Sequence, residues 1–368
     1  MSRLVDTDRA IADLRRGLPV VIFSDGEKNA LVAVAAEFAS EPNLSYLQSW
    51  DSNPPALVLT KNRASVLHIM PSDGDVVVLP LTERLDPPTI RSLADPTADM
   101  DNPMRGPFQR LKTRASPLND AAIKLCKLAR LLPAALVVEN ISDGTATAIE
   151  IARARNLIAV EADDIFSYDT RDATELTQLA SARIPLEGAE KARMVSFRPR
   201  DGGTEHFAII IGDPSPSKPV LIRIHSECFT GDLIGSLRCD CGQQLRGSID
   251  QINEAGGGMV LYLSQEGRGI GLINKLRAYQ LQDQGFDTID ANERLGFEAD
   301  ERMFLPAAEM LKRLGFSQVL LMTNNPEKVA GLEAFGITVV ERVPHAFPSN
   351  SHNESYLSTK SKRSGHYL

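Results

Sequence analysis

The sequence predicts an α/β (α+β) protein of two domains, each a mixed sheet with helices. Three observations point there. A chain of 368 residues is longer than one hydrophobic core usually serves. Short apolar runs bounded by Pro, Asp and Gly alternate with longer stretches of helical period. Hydrophobic residues make up 43% and charged residues 24%, an ordinary globular balance that leaves each half enough apolar material for a core. The expected boundaries are a first domain over 1–175, a linker over 176–191 and a second domain over 192–368.

In the first domain, residues 6–16 form an amphipathic helix with Ile11 and Leu14 on one face, stopped by Gly17. PVVIF (19–23) is a buried strand and SDGEKN a turn. Ala30–Ala39, rich in Ala and Val, is expected to be a second helix. ALVLT (56–60), SVLHIM (65–70) and DVVVLPL (75–81) carry strand and turn signals. Residues 83–118, rich in Pro, Asp and Arg, are expected to be long surface loops. Beyond them the pattern predicts a helix over Asn119–Leu131, a strand over 135–139, a helix over Thr145–Arg155 and a strand over 157–161. The stretch 170–191 is polar, with no sustained apolar face, and reads as the connection.

In the second domain, two strands flank the turn Asp201-Gly202-Gly203, and VLIRIHSE (220–227) is a third strand. Gln243–Glu254 is a helix closed by three glycines, MVLYLSQ (259–265) a buried strand, and 268–285 a helix. VLLMT (319–323) is a strand, after which Asn325 caps a helix that Pro326 begins. Two turns suit an anion. Gly267-Arg268-Gly269 joins strand to helix, and Lys328 stands in a first helical turn, where a cation is unfavourable unless it faces a negative charge. A solvated surface lysine is the competing reading.

The formal charge of −8 provides no global basic field, so neither nucleic acid nor a membrane surface is an expected partner. No apolar run resembles a signal peptide or is long enough to span a bilayer, and the cytoplasm is the expected compartment. Four cysteines in a chain this long are not a disulfide framework. Cys126 falls among Ile123, Leu125 and Leu128 and reads as core. Cys228, Cys239 and Cys241 lie within RIHSECFTGDLIGSLRCDCGQQL (223–245). One fold-back can bring these three thiolates to a point, and three protein ligands with an open fourth position is the pattern of a catalytic zinc. Three buried thiols are the alternative, but the polar and glycine-rich surroundings are poor core material. His225 could also be a ligand by its chemistry, whereas His206, His345 and His352 read as surface residues.

The blocks 25–40 and 136–171 resemble 3,4-dihydroxy-2-butanone 4-phosphate synthase, a family that makes a four-carbon riboflavin precursor from ribulose 5-phosphate with magnesium. That family's acidic run is replaced here by Glu27-Lys28-Asn29-Ala30-Leu31. Its Gly-His-Thr-Glu metal motif is replaced by Pro117-Leu118-Asn119-Asp120, leaving Glu139. One carboxylate does not make a hard-cation site. The expectation is a domain that keeps this fold without the synthase chemistry and serves dimerisation or regulation.

RIHSECFTGDLIGSLRCDCGQQL, the QEGRGIGLINKLRAYQLQDQG stretch with its continuation to Arg302, LMTNNPEKV and the tail YLSTKSKRSGH together resemble GTP cyclohydrolase II. The resemblance runs from about Phe197 to Leu368. It implies hydrolysis of GTP at C8 of guanine, with loss of formate and pyrophosphate. It also implies one zinc ion on Cys228, Cys239 and Cys241, magnesium with the triphosphate, and a homodimer. By the same resemblance GTP lies against Arg223, Ile224, His225, Ser226, Glu227, Gln244, Glu266, Gly267, Arg268, Thr288, Thr323 and Lys328. Asp300 is implied as proton acceptor, Arg302 as nucleophile toward the α-phosphorus, and Tyr279 as a residue of the ring-opening steps. A guanidinium is essentially always protonated, so electrostatic stabilisation is an equal role for Arg302. Ser264 stands where this family carries arginine. Two other readings are a bifunctional enzyme that also makes the butanone phosphate, and a nucleotide-binding regulatory paralogue.

Overall fold

The structure is a computed structural model that describes residues 3–25, 29–50, 53–70, 74–82, 85–103, 105–111, 115–142, 145–200, 202–345 and 347. The chain separates into two compact units. One comprises Met1–Tyr168 and Ile273–Glu301, the other Asp169–Leu272 and Arg302–Leu368. Each contains a mixed sheet with helices, as the sequence predicts.

The first unit begins with α1 (Arg3–Arg15), β1 (Val20–Ser24) and β2 (Asn29–Ala35). The expected helix over Ala30–Ala39 is therefore a strand followed by a short 3-10 turn. Its Leu31, Val32 and Val34, set among alanines, fill a central strand held antiparallel between β1 and β5 (Ala134–Glu139) and buried on both faces. α2 (Glu41–Gln48) and β3 (Ala56–Thr60) precede α3 (Lys61–Val66). The expected strand at 65–70 is lost because Thr60 starts that helix by capping the Arg63 N–H at 3.2 Å. β4 (Val76–Pro80) completes one edge. The stretch expected as loops contains α4 (Pro87–Ala94), capped by Asp86. α5 (Pro117–Leu128) crosses the sheet, and α6 (Thr145–Ala154), β6 (Ala159–Glu161) and α7 (Ala162–Thr174) come after β5. The strand order is β4-β3-β5-β2-β1-β6.

Arg63 is 1% exposed. Its guanidinium donates to the Leu93 carbonyl at 2.7 Å and in a fork to both carboxylate oxygens of Asp99, at 2.6 and 2.8 Å. Such a charge is stable in a core only because each face of it is paired.

The expected linker is not a linker. Residues Thr177–Arg183 form β7, an edge strand paired antiparallel with β8 (Ala192–Arg198). Every residue of β7 is exposed, so the apolar alternation that announces a strand is missing. β9 (His206–Ile211), β10 (Val220–Ser226), α8 (Cys241–Glu254) and β11 (Gly258–Leu263) continue the unit.

The chain then returns to the first unit for most of α9 (Leu272–Asp283) and all of α10 (Thr288–Arg294). There Arg277 pairs with Glu37 at 2.7 Å and Asp95 at 2.9 Å, Asn274 donates to the Arg130 carbonyl, and Lys127 meets Glu301 at 2.6 Å. These contacts group 273–301 with the N-terminal residues rather than with the continuous 192–368 expected from sequence. α11 (Leu305–Arg313), β12 (Gln318–Met322), α12 (Pro326–Ala334) and β13 (Thr338–Val343) complete the second unit, with strand order β13-β12-β10-β11-β9-β8-β7. Asn325 caps α12 through the Glu327 N–H at 2.9 Å, as its sequence implies.

Candidate metal and nucleotide site

β10 runs parallel to both β11 and β12. The chain leaves β10 toward β11 on one side and leaves β12 toward β13 on the other. Such divergence opens a crevice at the carboxyl ends of parallel strands, where open α/β sheets take their ligands. Ser226, Leu263 and Met322 end these three strands. The cysteine segment, the Glu266–Gly269 turn and the Asn325 cap come directly after those three ends.

After β10 the chain tightens into a π-helical turn, Phe229–Leu233, and Cys239 and Cys241 come back at the start of α8. The ligand sulfurs of Cys228, Cys239 and Cys241 lie within 4.8 Å of one another, with Cys228 and Cys239 at 3.7 Å. Zinc–thiolate bonds of tetrahedral geometry place sulfurs about 3.8 Å apart. Hydrogen bonding to the two sister thiols and burial hold the Cys241 thiol well above its ordinary pKa. A coordinated dication reverses that preference and deprotonates the ligand. The donor set therefore fits a thiophilic metal. Gly231 makes room for it, since a Cβ there would stand 2.6 Å from the Cys239 sulfur and 3.1 Å from that of Cys228. Gly231→Ala is expected to weaken metal binding about 10–100-fold with the fold intact, measured by zinc titration against a chromophoric chelator.

Around the sulfurs the side chains are locked. Asp232 accepts from the Cys228 N–H at 3.1 Å and from Tyr262 Oη at 3.0 Å, and it meets His225 Nε2 at 3.1 Å. The His225 ring stacks on Tyr262, centroids 5.5 Å apart. Burial depresses the His225 pKa against the opposing pull of Asp232. Glu266, 5% exposed, accepts from the Phe229 N–H at 2.6 Å and the Gly267 N–H at 2.8 Å. It thus ties the cysteine turn to the glycine turn. Gly267 and Arg268 there adopt left-handed backbone, with φ of 64° and 60°.

Arg223 is buried and donates to the Met322 carbonyl at 2.9 Å and to Gln244, whose amide also donates to Asp240. Desolvation lowers its pKa to about 10, so it remains a cation at neutral pH. Lys328, 6% exposed, donates to the Ile224 carbonyl at 2.8 Å. It is not a solvated surface lysine. Among the described residues, Arg223 Nε, Ser226 Oγ and Asn325 Nδ2 are buried here without a hydrogen-bond partner. Burying such groups unpaired is costly, which marks a place built for a polar ligand.

Of the residues expected at the site, the second unit contains the three cysteines, Arg223 to Glu227, Gln244, Glu266, Gly267, Arg268, Arg302, Thr323 and Lys328. Tyr279, Thr288 and Asp300 belong to the first unit. The expectation of surface histidines is corrected twice. His206 is 8% exposed and accepts the Ser264 N–H at 3.1 Å, while Ser264 Oγ donates to the Glu205 carbonyl. His345 is 1% exposed. Sequence reasoning misses Asp232, Asp240, Tyr262 and Asn324. Of these Asp232 carries a local signal, because an acid four residues after a cysteine can turn back to its N–H. His352, the YLSTKSKRSGH tail, Glu27 and Lys28 lie outside the described residues. No helix among the described residues is long and apolar enough to cross a membrane.

Comparison with known proteins gives the family. Residues 177–344 match the family model of GTP cyclohydrolase II. The chain is 52% identical over 360 residues to GTP cyclohydrolase-2 of Azospirillum brasilense, covering 98% of this chain and 93% of that one. It is 36% identical over 398 residues to the riboflavin biosynthesis protein RibBA of Phocaeicola vulgatus, covering 100% and 98%. Among solved structures it is similar to RibBX, a two-domain 3,4-dihydroxy-2-butanone 4-phosphate synthase from A. baumannii, with 16% identity, coverage of 92% and 99%, and a TM-score of 0.38. With its cysteine cluster at the strand ends and a relative similar along nearly its whole length, the chain is an enzyme of the GTP cyclohydrolase II family.

Proposed function

We propose that this enzyme hydrolyses GTP to 2,5-diamino-6-ribosylamino-4(3H)-pyrimidinone 5′-phosphate, formate and pyrophosphate, the first step of riboflavin biosynthesis. The observation that carries the reading is the convergence of three cysteine sulfurs within 4.8 Å, in the unit where Arg223 on β10 and Lys328 in the first turn of α12 are buried. One zinc ion per chain on Cys228, Cys239 and Cys241 would supply Lewis acidity and a readily deprotonated water for attack at C8. Magnesium would accompany the triphosphate and share its charge.

The chain's own groups do the rest. Arg223, whose buried Nε has no hydrogen-bond partner among the described residues, offers a fixed donor to an anionic or carbonyl oxygen. Arg268, on its left-handed turn, and Lys328, in the first turn of α12, bring positive charge to the phosphates, where the helix N-terminus adds its dipole. Gln244 and Glu266 face the base, and such buried polar groups reject bases that leave them unpaired. Ile224, His225, Ser226, Glu227, Thr288 and Thr323 complete the substrate contacts. In this reading Asp300 takes a proton, Tyr279 assists ring opening, and Arg302 stabilises charge at the α-phosphorus, because a guanidinium does not become a free nucleophile at neutral pH. Incubating the full chain with GTP and magnesium is expected to release formate and pyrophosphate in step with the product's absorbance. Absorbance change without formate would sink the reading.

The N-terminal domain we read as non-catalytic, serving the enzyme as scaffold or regulator in a cytoplasmic homodimer. Leu118, at the position of the synthase family's ligand histidine, is wholly buried, and Glu139 is taken up by Asn119 at 2.5 Å. Ribulose 5-phosphate with magnesium is expected to yield no butanone phosphate. Its appearance, detected by chromatography, would establish a bifunctional enzyme instead.

A further inference from the structure

His345 comes after the last strand of the second unit, and its ring is 1% exposed. Its Nε2 stands 3.0 Å from the Gln244 carbonyl, and its Nδ1 3.0 Å from the Gln251 side-chain amide. A carbonyl only accepts, so Nε2 carries the proton. The Gln251 atom at Nδ1 is Oε1; in the neutral ring Nδ1 accepts, which requires that amide turned end for end so that its NH2 donates. Burial first, and then the charge of Arg223, push the His345 pKa to about 4, so the ring is neutral in the working range. The backbone of His345 is engaged as well. Its N–H donates to Asn324 Oδ1 at 3.1 Å, and Asn324 Nδ2 donates to its carbonyl at 2.8 Å. One residue thus grips α8 with its side chain and the β12–α12 loop with its main chain.

The other side of the same circuit is Arg223. It donates to the Gln244 side chain on α8 and to the Met322 carbonyl at the end of β12. Met322, Thr323 and Asn324 lead back to His345, and the Thr323 N–H donates to the Val343 carbonyl at 3.0 Å. The contacts close into a ring that spans the crevice between β10 and β12. Arg223 Nε on this ring and Asn325 Nδ2 beside it are buried without a hydrogen-bond partner among the described residues. Both are groups that an anionic oxygen would satisfy.

We propose that His345 is a positioning residue for the GTP reaction: through Gln244 and Asn324 it sets the spacing between α8 and the β12–α12 loop, and so aims Arg223 and Lys328 at the nucleotide. The proposal rests on the GTP reading above.

Two variants of the full chain separate this role from general support. A glutamine amide nitrogen reaches the place of Nε2, whereas that of asparagine reaches the place of Nδ1. His345→Gln therefore keeps the bond to the Gln244 carbonyl and is expected to hold the KM for GTP within about threefold of wild type. His345→Asn loses that bond, and its KM is expected to rise about tenfold with a smaller change in kcat and unchanged zinc content. Asn324→Ala cuts the main-chain grip and should raise KM similarly, which keeps the test open if a histidine variant folds poorly. Equal KM values for the Asn and Gln variants, or an unaltered KM in Asn324→Ala, would overturn the proposal. A wild-type chain that releases no formate from GTP fails at the functional reading itself, before any variant is compared.

Discussion

Cys239→Ser is expected to abolish bound zinc and formate release together. Cys239 and Cys228 bring their sulfurs to 3.7 Å, and the third ligand lies within the same small triangle. A serine hydroxyl is a harder donor, with a proton far less readily lost than that of a thiol, and a soft thiolate site selects against it. Removing a partner that only orients a ligand typically costs 10–100-fold, so loss of the ligand itself should cost at least about 100-fold in GTP turnover. Metal analysis and formate release on the same preparation check this. A variant that lacks zinc yet keeps turning over GTP would refute the metal role, while one that keeps zinc and loses turnover would make Cys239 more than a ligand.

Arg63→Ala is expected to destabilise the first unit by about 3–5 kcal/mol. The guanidinium sits at 1% exposure and satisfies Asp99 in a fork and the Leu93 carbonyl. Truncation leaves Asp99 without that fork, although Arg105 reaches it at 3.1 Å from the other side, and it opens a cavity where a long side chain had been. Arg63→Lys restores charge but not the planar fork and should recover less than half of the loss. Denaturant midpoints at constant m-value measure both. A loss below about 1 kcal/mol would mean that the local chain collapses onto the gap.

The sequence announces its chemistry more clearly than its topology. The clustering of Cys228, Cys239 and Cys241 is legible because a candidate metal site needs specific residue types at reachable spacing. The β10, β11 and β12 strands are legible because buried parallel strands are continuous apolar runs. β7 is not legible, since all seven of its residues face solvent and an edge strand needs no apolar face. The strand over Asn29–Ala35 reads as a helix because Ala is the best helix former, and only its place between two partners overrides that propensity. His345 reads as a surface residue for a related reason. Its partners are Gln244, Gln251 and Asn324, as far as 101 residues away in sequence, and no local pattern reports a contact of that range. The sequence offers Glu266 and Gln244 as candidate substrate contacts, whereas the structure shows what they hold within the chain: two backbone N–H groups and the pair Arg223 and Asp240.

The assignment of Ile273–Glu301 to the first unit bears on how such a chain can be dismantled. The polypeptide passes between the units three times, so no single cut yields two covalently whole pieces. A fragment starting near Lys191 would carry α9 and α10 away from Glu37, Asp95 and Arg130, the groups that Arg277 and Asn274 use, and would bare Ala278 and Leu281, both buried here. The N-terminal residues and 273–301 thus belong to one folded unit. Deleting the N-terminal residues would leave 273–301 without the groups they pair with in that unit.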